Sequence, residues 1–328
     1  MSYSAPEGTV IGHVHLKVSD VATSFPFYTG ILGLDQILHY PTAAFLSTGG
    51  YHHHIGMNQW YSRGGKRGTT ISGGLAGVTL AITSGTLLAD LLARAEQAGV
   101  HITQAPGGTT LTDPDGLSIH LMQASTADGT TPISVRSVTL TAANRDGLAR
   151  FYQSVLGLTA TDDGNGEVHL GTASAPDLVV ITTGDPSGER EKPSQPGLYH
   201  MAILYPTRAD LARAVAQMLE ANAGFRMAED HGVSNAVYFV DPENNGIELY
   251  WDRPRAEWPR DDSGAISMEG GLLDLTRGRS AIAFDRSIDM QMTRLRRKIE
   301  TNLDDPEFIK TVRNKGYIFT PEVVADEE

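Results

Sequence analysis

Four stretches of the chain alternate apolar and polar residues with the period of two expected of a half-buried strand: 11–18, 75–82, 134–141 and 198–205. Each is followed by a capping residue and an amphipathic helix. In the fourth, Thr207 and Asp210 read as a capping box. Leu211, Val215, Met218 and Leu219 then form an apolar stripe, with Gly224 just past its end. In the second, Leu87, Leu88, Leu91, Leu92 and Ala95 do the same before Gly99. Pro26 is a local misfit, because it falls inside the first expected helix, where it costs about 3 kcal/mol or forces a kink. Short extended runs broken by Gly, Asp and Pro come after each helix, at 43–48, 52–58, 109–112, 117–122, 177–182, 236–240 and 246–251.

Aligning the opening strands puts His13, Gly77, Ser137 and His200 at one equivalent position, with spacings of 64, 60 and 63 residues. Phe27-Tyr28 and Phe151-Tyr152 open a phrase shared by the first and third units. Asp113-Pro114 and Asp241-Pro242 open one shared by the second and fourth, which places His120 and Glu248 in register. The unit is therefore β-α-β-β-β, present four times, with a break at 124–132. The expected fold class is α+β: four βαβββ modules in two paired-module domains, 8–124 and 133–252, then a linker over 253–271 and a short helix-and-hairpin tail over 272–321.

Composition narrows the chemistry. Of 328 residues 40% are apolar and 20% charged, ordinary for a globular chain. No apolar run reaches the roughly 18 residues a membrane helix needs, and the polar N-terminal stretch reads as no secretory signal, so a cytoplasmic address is expected. The absence of cysteine excludes disulfides, thiolate-held metals and thiol nucleophiles, so any metal must be held by His, Asp and Glu. Residues 1–252 carry 13 Lys and Arg against 24 Asp and Glu, an acidic body that does not point to nucleic acid as its partner. Neither a phosphate loop, a G-x-S-x-G elbow nor a G-x-G-x-x-G turn is present.

Two module sheets placed side by side make a curved surface with a concave face, and matched strand positions converge on it. His13 and His200 are equivalents on opening strands, and Glu248 lies on a closing strand. Two imidazoles and a carboxylate with open coordination positions suit non-haem Fe(II), and Mn(II) or Zn(II) less specifically.

The repeats resemble the vicinal-oxygen-chelate superfamily and, within it, the two-domain catechol 2,3-dioxygenases, which are type I extradiol enzymes. The phrases that carry the resemblance begin at Ile11-Gly12-His13-Val14-His15, Gly49-Gly50-Tyr51-His52-His53-His54, Gly197-Leu198-Tyr199-His200 and His231-Gly232-Val233-Ser234, the last followed by Gly246-Ile247-Glu248-Leu249-Tyr250. Together they cover about residues 8–268. The resemblance implies Fe(II) on a His-His-Glu triad, a catechol and O2 as reactants, and His231 and Tyr238 as catalytic residues. The third unit has Ser137 where that family supplies a His, so the His200/Glu248 pair must borrow His13, with His15 in reserve. That requires the first and fourth units to meet, in an order reversed from the family's usual one. His15, His52, His54 and Tyr250 are the expected substrate-contacting residues. On a strand His52 and His54 share a face; a polar rim with one buried His is the plainer alternative.

The tail resembles the second half of the winged-helix output domain of two-component response regulators, through Arg294-Leu295-Arg296-Arg297-Lys298 and Ile309-Lys310-Thr311-Val312-Arg313-Asn314-Lys315-Gly316-Tyr317. Ile288, Met292, Leu295 and Ile299 form a helical stripe, and Asn314-Lys315-Gly316 suits a hairpin turn. The opening sheet of that domain is absent, and ten basic against seven acidic residues over 272–321 argue for weak, salt-sensitive DNA contact at best. The expected function is an Fe(II)-dependent extradiol dioxygenase with no membrane partner, homo-oligomerisation being left open. The alternatives are a glyoxalase-type isomerase or lyase and a degenerate ligand-binding regulator with a DNA-touching tail.

Overall fold

In a computed structural model, which describes residues 3–68, 71–105, 107–125, 131–162, 164, 166–268, 271–273, 309–312 and 316–319, each repeat folds as the expected β-α-β-β-β unit. The first comprises β1 (Val10–Lys17), α1 (Val21–Pro26), β2 (Asp35–Tyr40), β3 (Ala43–Ser47) and β4 (Ile55–Asn58). The second comprises β5 (Ile71–Ile82), α2 (Gly85–Gln97), β6 (Ile102–Ala105), β7 (Gly108–Thr112) and β8 (Ser118–Gln123). The third comprises β9 (Ile133–Ala142), α3 (Arg145–Ser154), β10 (Thr159–Asp162), β11 (Val168–Gly171) and β12 (Val179–Thr183). A short β13 (Glu189–Arg190) precedes the fourth, which comprises β14 (Gly197–Leu204), α4 (Arg208–Glu220), β15 (Gly224–Asp230), β16 (Ser234–Val240) and β17 (Gly246–Asp252).

Each helix starts at the residue that can cap it. Asp20, Ser84, Asn144 and Thr207 accept hydrogen bonds from the backbone N–H three residues on. Pro26 ends α1, and the chain continues as a π-helical turn over Phe27–Ile31, so the misfit is absorbed by widening the helix. Beyond α4 it is Asn222, at φ 55°, that takes the left-handed position, two residues before Gly224, which opens β15.

The sheets cross the 8–124/133–252 division. One has the strand order β15-β16-β17-β14-β1-β4-β3-β2 and joins the first module to the fourth. The other, β10-β11-β12-β9-β5-β8-β7-β6, joins the second to the third. Each module thus pairs with a module from the other half of the chain. The two central seams have the same register: His15 lies opposite His200 and His13 opposite Ala202 on β1 and β14, while Thr79 lies opposite Ser137 and Gly77 opposite Thr139 on β5 and β9. Both seams also have a bulge at the same place, between Ile11 and His13 and between Leu75 and Gly77.

The apolar faces of the sheets contribute to one core, in which Val14, Leu16, Met201 and Ile203 join Val78, Leu80, Val138 and Leu140. Each such fully buried side chain contributes about 1.5–3 kcal/mol. Two buried hydrogen bonds tie consecutive modules across this core: Tyr28 donates to Asp113 at 2.9 Å, and Tyr152 donates to Asp241 at 3.0 Å. These are the repeated Phe-Tyr and Asp-Pro phrases meeting each other.

Beyond β17 the chain packs down. A 3-10 turn over Arg255–Glu257 leads to Trp258, which with Ile266 packs on Tyr51 and Val233. The residues Gly271–Leu272 form β18, an added edge strand on β15. In the tail β19 (Ile309–Val312) and β20 (Gly316–Phe319) pair antiparallel with Val312 opposite Gly316. The expected tail helix lies outside the described residues. Among the described residues no helix is long and apolar enough to cross a membrane.

Candidate metal centre and cavity

The alternation on β1 sends Val14 and Leu16 into the core and His13, His15 and Lys17 to the opposite, concave face. His200 reaches the same face from β14, and Glu248 from β17, whose Cα register puts Glu248 beside Ala202. His13 Nε2 and His200 Nε2 each lie 3.1 Å from the same Glu248 Oε2, and the three donor atoms fall within 4.8 Å of one another. All three side chains are buried. Among the described residues this is the one set of three ligand-type groups so arranged.

The donor set fits a divalent cation. Donors about 2.1 Å from one ion in neighbouring octahedral positions sit about 3.0 Å apart. His200 Nε2 approaches the carboxylate without hydrogen-bond geometry and is left without a hydrogen-bond partner. Burial pushes His13 down to about 4, so its imidazole is neutral at neutral pH. Burial works to raise Glu248, but His13 and His200 beside it hold its carboxyl well below the usual carboxylate range. A neutral imidazole beside an ionised carboxylate is the state a metal requires. At the matching places of the second sheet stand Gly77, Ser137 and His120, and His120 is taken up by Thr110 at 3.1 Å.

Two glycines make room for this arrangement. A Cβ on Gly12 would sit 1.6 Å from Tyr250 Oη, and one on Gly56 would sit 2.7 Å from His15 Nδ1.

The other expected residues divide. His231 and Tyr238 are together, His231 Nε2 being 2.9 Å from Tyr238 Oη, and both line the cavity. Burial, then the charge of Glu248, raises the Tyr238 phenol well above its ordinary value, so it stays protonated. His15 lines the cavity, with its Nε2 3.0 Å from the amide nitrogen of Asn58, and His13 rather than His15 completes the donor set. The chain is not a strand at residues 52–54: β4 begins only at Ile55, after Gly49 and Gly50 turn the backbone at φ 64° and 68°. His52 and His53 both line the cavity as a result. His54 does not; its Nδ1 pairs with Ser47 Oγ at 2.9 Å. Tyr250 also lies off the cavity lining, its hydroxyl 2.7 Å from that of Tyr51.

His53 is the residue the sequence pattern passed over. Its ring lies 4.0 Å from that of His13, and burial holds it well below the usual imidazole range. His53 Nδ1 is 2.8 Å from His52 Nδ1, and His52 Nε2 is 2.9 Å from Asp252 Oδ1. The Gly49-Gly50 pair was the available signal that this His run sits on a loop. The whole cavity encloses about 990 Å³.

The model of the Glyoxalase/Bleomycin resistance protein/Dioxygenase superfamily matches residues 10–121 and 135–249, and that of Transcriptional regulatory protein, C terminal, matches residues 262–319. The chain is 38% identical over 130 residues to Catechol-2,3-dioxygenase of Bacillus subtilis (strain 168), a match covering 38% of this chain and 44% of that protein. It is 48% identical over 75 residues to Transcriptional regulatory protein RstA of Escherichia coli (strain K12), covering 23% of this chain and 29% of that one. The chain thus spans less than half the length of either relative. Its fold is similar to a crystal structure of a protein of Bacillus subtilis subsp. subtilis str. 168, at a TM-score of 0.61 and 18% identity over 77% of this chain and 87% of that one. It is also similar to glyoxalase I from Zea mays, at a TM-score of 0.52 and 18% identity over 74% of this chain and 92% of that one. With the repeats, the sheets and the family match agreeing over both halves of the body, the chain belongs to the Glyoxalase/Bleomycin resistance protein/Dioxygenase superfamily.

Proposed function

We propose that the protein is an Fe(II)-dependent extradiol dioxygenase that opens the ring of a catechol with O2. The observation that carries this reading is the convergence of His13, from the first module, and His200, from the last, on one carboxylate oxygen of Glu248. The Bacillus subtilis relative named Catechol-2,3-dioxygenase supports it. Fe(II) held by those three groups would supply Lewis-acid charge stabilisation and redox capacity.

The protein's own groups do the rest. His53, held at Nδ1 by His52, keeps Nε2 to accept a proton from a diol hydroxyl. Tyr238, kept protonated, donates a hydrogen bond to a substrate oxygen, and His231 at its hydroxyl moves a proton on the same side. The buried floor keeps water from competing for these donors.

The test is anaerobic loading with Fe(II), followed by catechols and O2. A yellow ring-fission product with matched O2 uptake is expected. Metal binding with turnover that needs no O2 would move the assignment to a glyoxalase-type isomerase or lyase, and no metal binding at all would refute both.

A further inference from the structure

Four large apolar side chains are exposed among the described residues, and all four line the mouth of one cavity: Tyr40 at 52%, Trp60 at 51%, Tyr61 at 68% and Met227 at 44%. Scattered single apolar residues are normal on a surface, but their concentration at the rim of a functional cavity is not. They connect to the floor through stacked rings. His200 is 5.1 Å from His15, His15 is 6.0 Å from Trp60, and Trp60 is 5.5 Å from the half-buried Tyr199, which is itself 5.4 Å from His200. Trp60 is therefore two ring contacts away from the donor set.

The cavity is also large for a single ring. Its 990 Å³ is near the upper end of the roughly 300–1,000 Å³ of sites that enclose drug-sized ligands. Its charges leave little for an ionic substituent. Lys17 is paired with Glu191 at 2.9 Å, and Arg190 with Glu243 at 3.1 Å. Glu229 lies 3.4 Å from His231, while Arg226, at the exposed rim, keeps its charge and is 3.3 Å from the neutral Asn244.

We infer that this rim is a distal subsite for an uncharged aromatic substituent, and that the substrate is a catechol carrying a second ring, which stacks against Trp60 and Tyr61 while the diol reaches the His13/His200/Glu248 floor. This rests on the ring-cleavage reading above. The stacking partners are broad faces held at fixed spacing, so they select for a flat apolar group rather than for a carboxylate.

Two measurements test the subsite. In the first, kcat/KM of the Fe(II)-loaded full chain is compared for catechol, protocatechuate and a phenyl-substituted catechol. The phenyl substrate is expected to lead catechol by at least tenfold, 1.4 kcal/mol, and Trp60→Ala or Tyr61→Ala to shrink that preference at least fivefold. The second needs no turnover: calorimetric binding of 2-phenylphenol, which has the second ring but no diol, against phenol. The phenylphenol is expected to bind at least tenfold more tightly, and Trp60→Ala to reduce the difference.

Efficient opening of catechol with no preference for the phenyl substrate overturns the subsite and leaves the dioxygenase reading standing. Selective binding of 2-phenylphenol with no diol opened overturns the dioxygenase reading and leaves the subsite. A concentration-dependent dimer in light scattering that Trp60→Ala abolishes overturns the subsite too, since the rim is then a contact between copies of the chain.

Discussion

His52 shares Asp252 with Tyr51: its Nε2 lies 2.9 Å from one carboxylate oxygen, while Tyr51 donates to the other at 2.7 Å. A neutral imidazole that donates from Nε2 can only accept at Nδ1. With His52 neutral, His53 Nδ1, 2.8 Å away, is the donor, which leaves His53 Nε2 without a proton and able to accept one. The tautomer of the cavity-facing ring is set two residues away, by a carboxylate that lies off the cavity lining. An amide at that place offers one acceptor where two donors converge. D252N is expected to lower kcat about 10- to 100-fold, less than the loss of a general base outright, with KM within a few fold. Steady-state kinetics across pH on the metal-loaded protein check this, and a variant that lost only stability would keep its kcat.

Glu248 is the sole carboxylate in the donor set, and both imidazoles converge on it. E248Q keeps the shape but weakens an anionic ligand to a neutral one. Metal content after equilibration with excess Fe(II) and desalting is expected to fall from about one ion per chain to a small fraction of that. His120→Ala, at the matching place in the second sheet, is expected to leave metal content unchanged.

Burial raises Asp113 from its ordinary 3.8 to about 6, against the opposing hydrogen bonds from Leu117 N–H and Tyr28. Its folded form therefore binds a proton more readily than its unfolded form. The contribution of this group to stability is fully present below about pH 4 and is lost as pH rises through 6. The span is at most about 3 kcal/mol. In urea unfolding at a series of pH values, D113N should remove that slope, seen as a wild-type minus variant difference that changes between pH 4 and 6 and is flat above 7.

Gly12 sits at the bulge of β1 against the Tyr250 hydroxyl. G12A pushes a methyl into that space, and because Tyr250 is buried against Tyr51 it has nowhere to retreat. The expected cost is about 1–3 kcal/mol, read as a fall in the urea midpoint. The control is the equivalent position of the other seam: Ala76 already carries that methyl, and A76G should cost far less.

Much of this architecture could be read in advance, for identifiable reasons. The four opening strands are buried on both faces or nearly so, and each is followed by a capped apolar stripe, so their period was visible. The matched His13, His200 and Glu248 positions followed from it. The strand that follows each helix was harder to see: β2 and β6 run along sheet edges and β15 is flanked only by the two-residue β18, with mostly exposed or half-exposed residues, such as Asp35, Gln36, Thr103 and Gln104, and no alternation to detect. The partnership of modules left even less trace. Each module's apolar face is satisfied by any copy of the same unit, so only the lone Ser137 in place of a histidine hinted that His200 would look to the first module. A run of three histidines reads as a strand in which His52 and His54 share a face, and that pattern leaves His53 on the other side.

The seam between the first and last modules sets the order in which this molecule can come into being. His13 and Glu248 are 235 residues apart along the chain, so a nascent polypeptide leaving the ribosome exposes one wall of the candidate metal centre long before the opposite wall has been synthesised. The middle two modules, adjacent in sequence, have their own seam available first. They can serve as the template on which the early and late modules finally close, and translation that stalls before the last strand yields a body with a sheet but without Glu248 to complete the donor set.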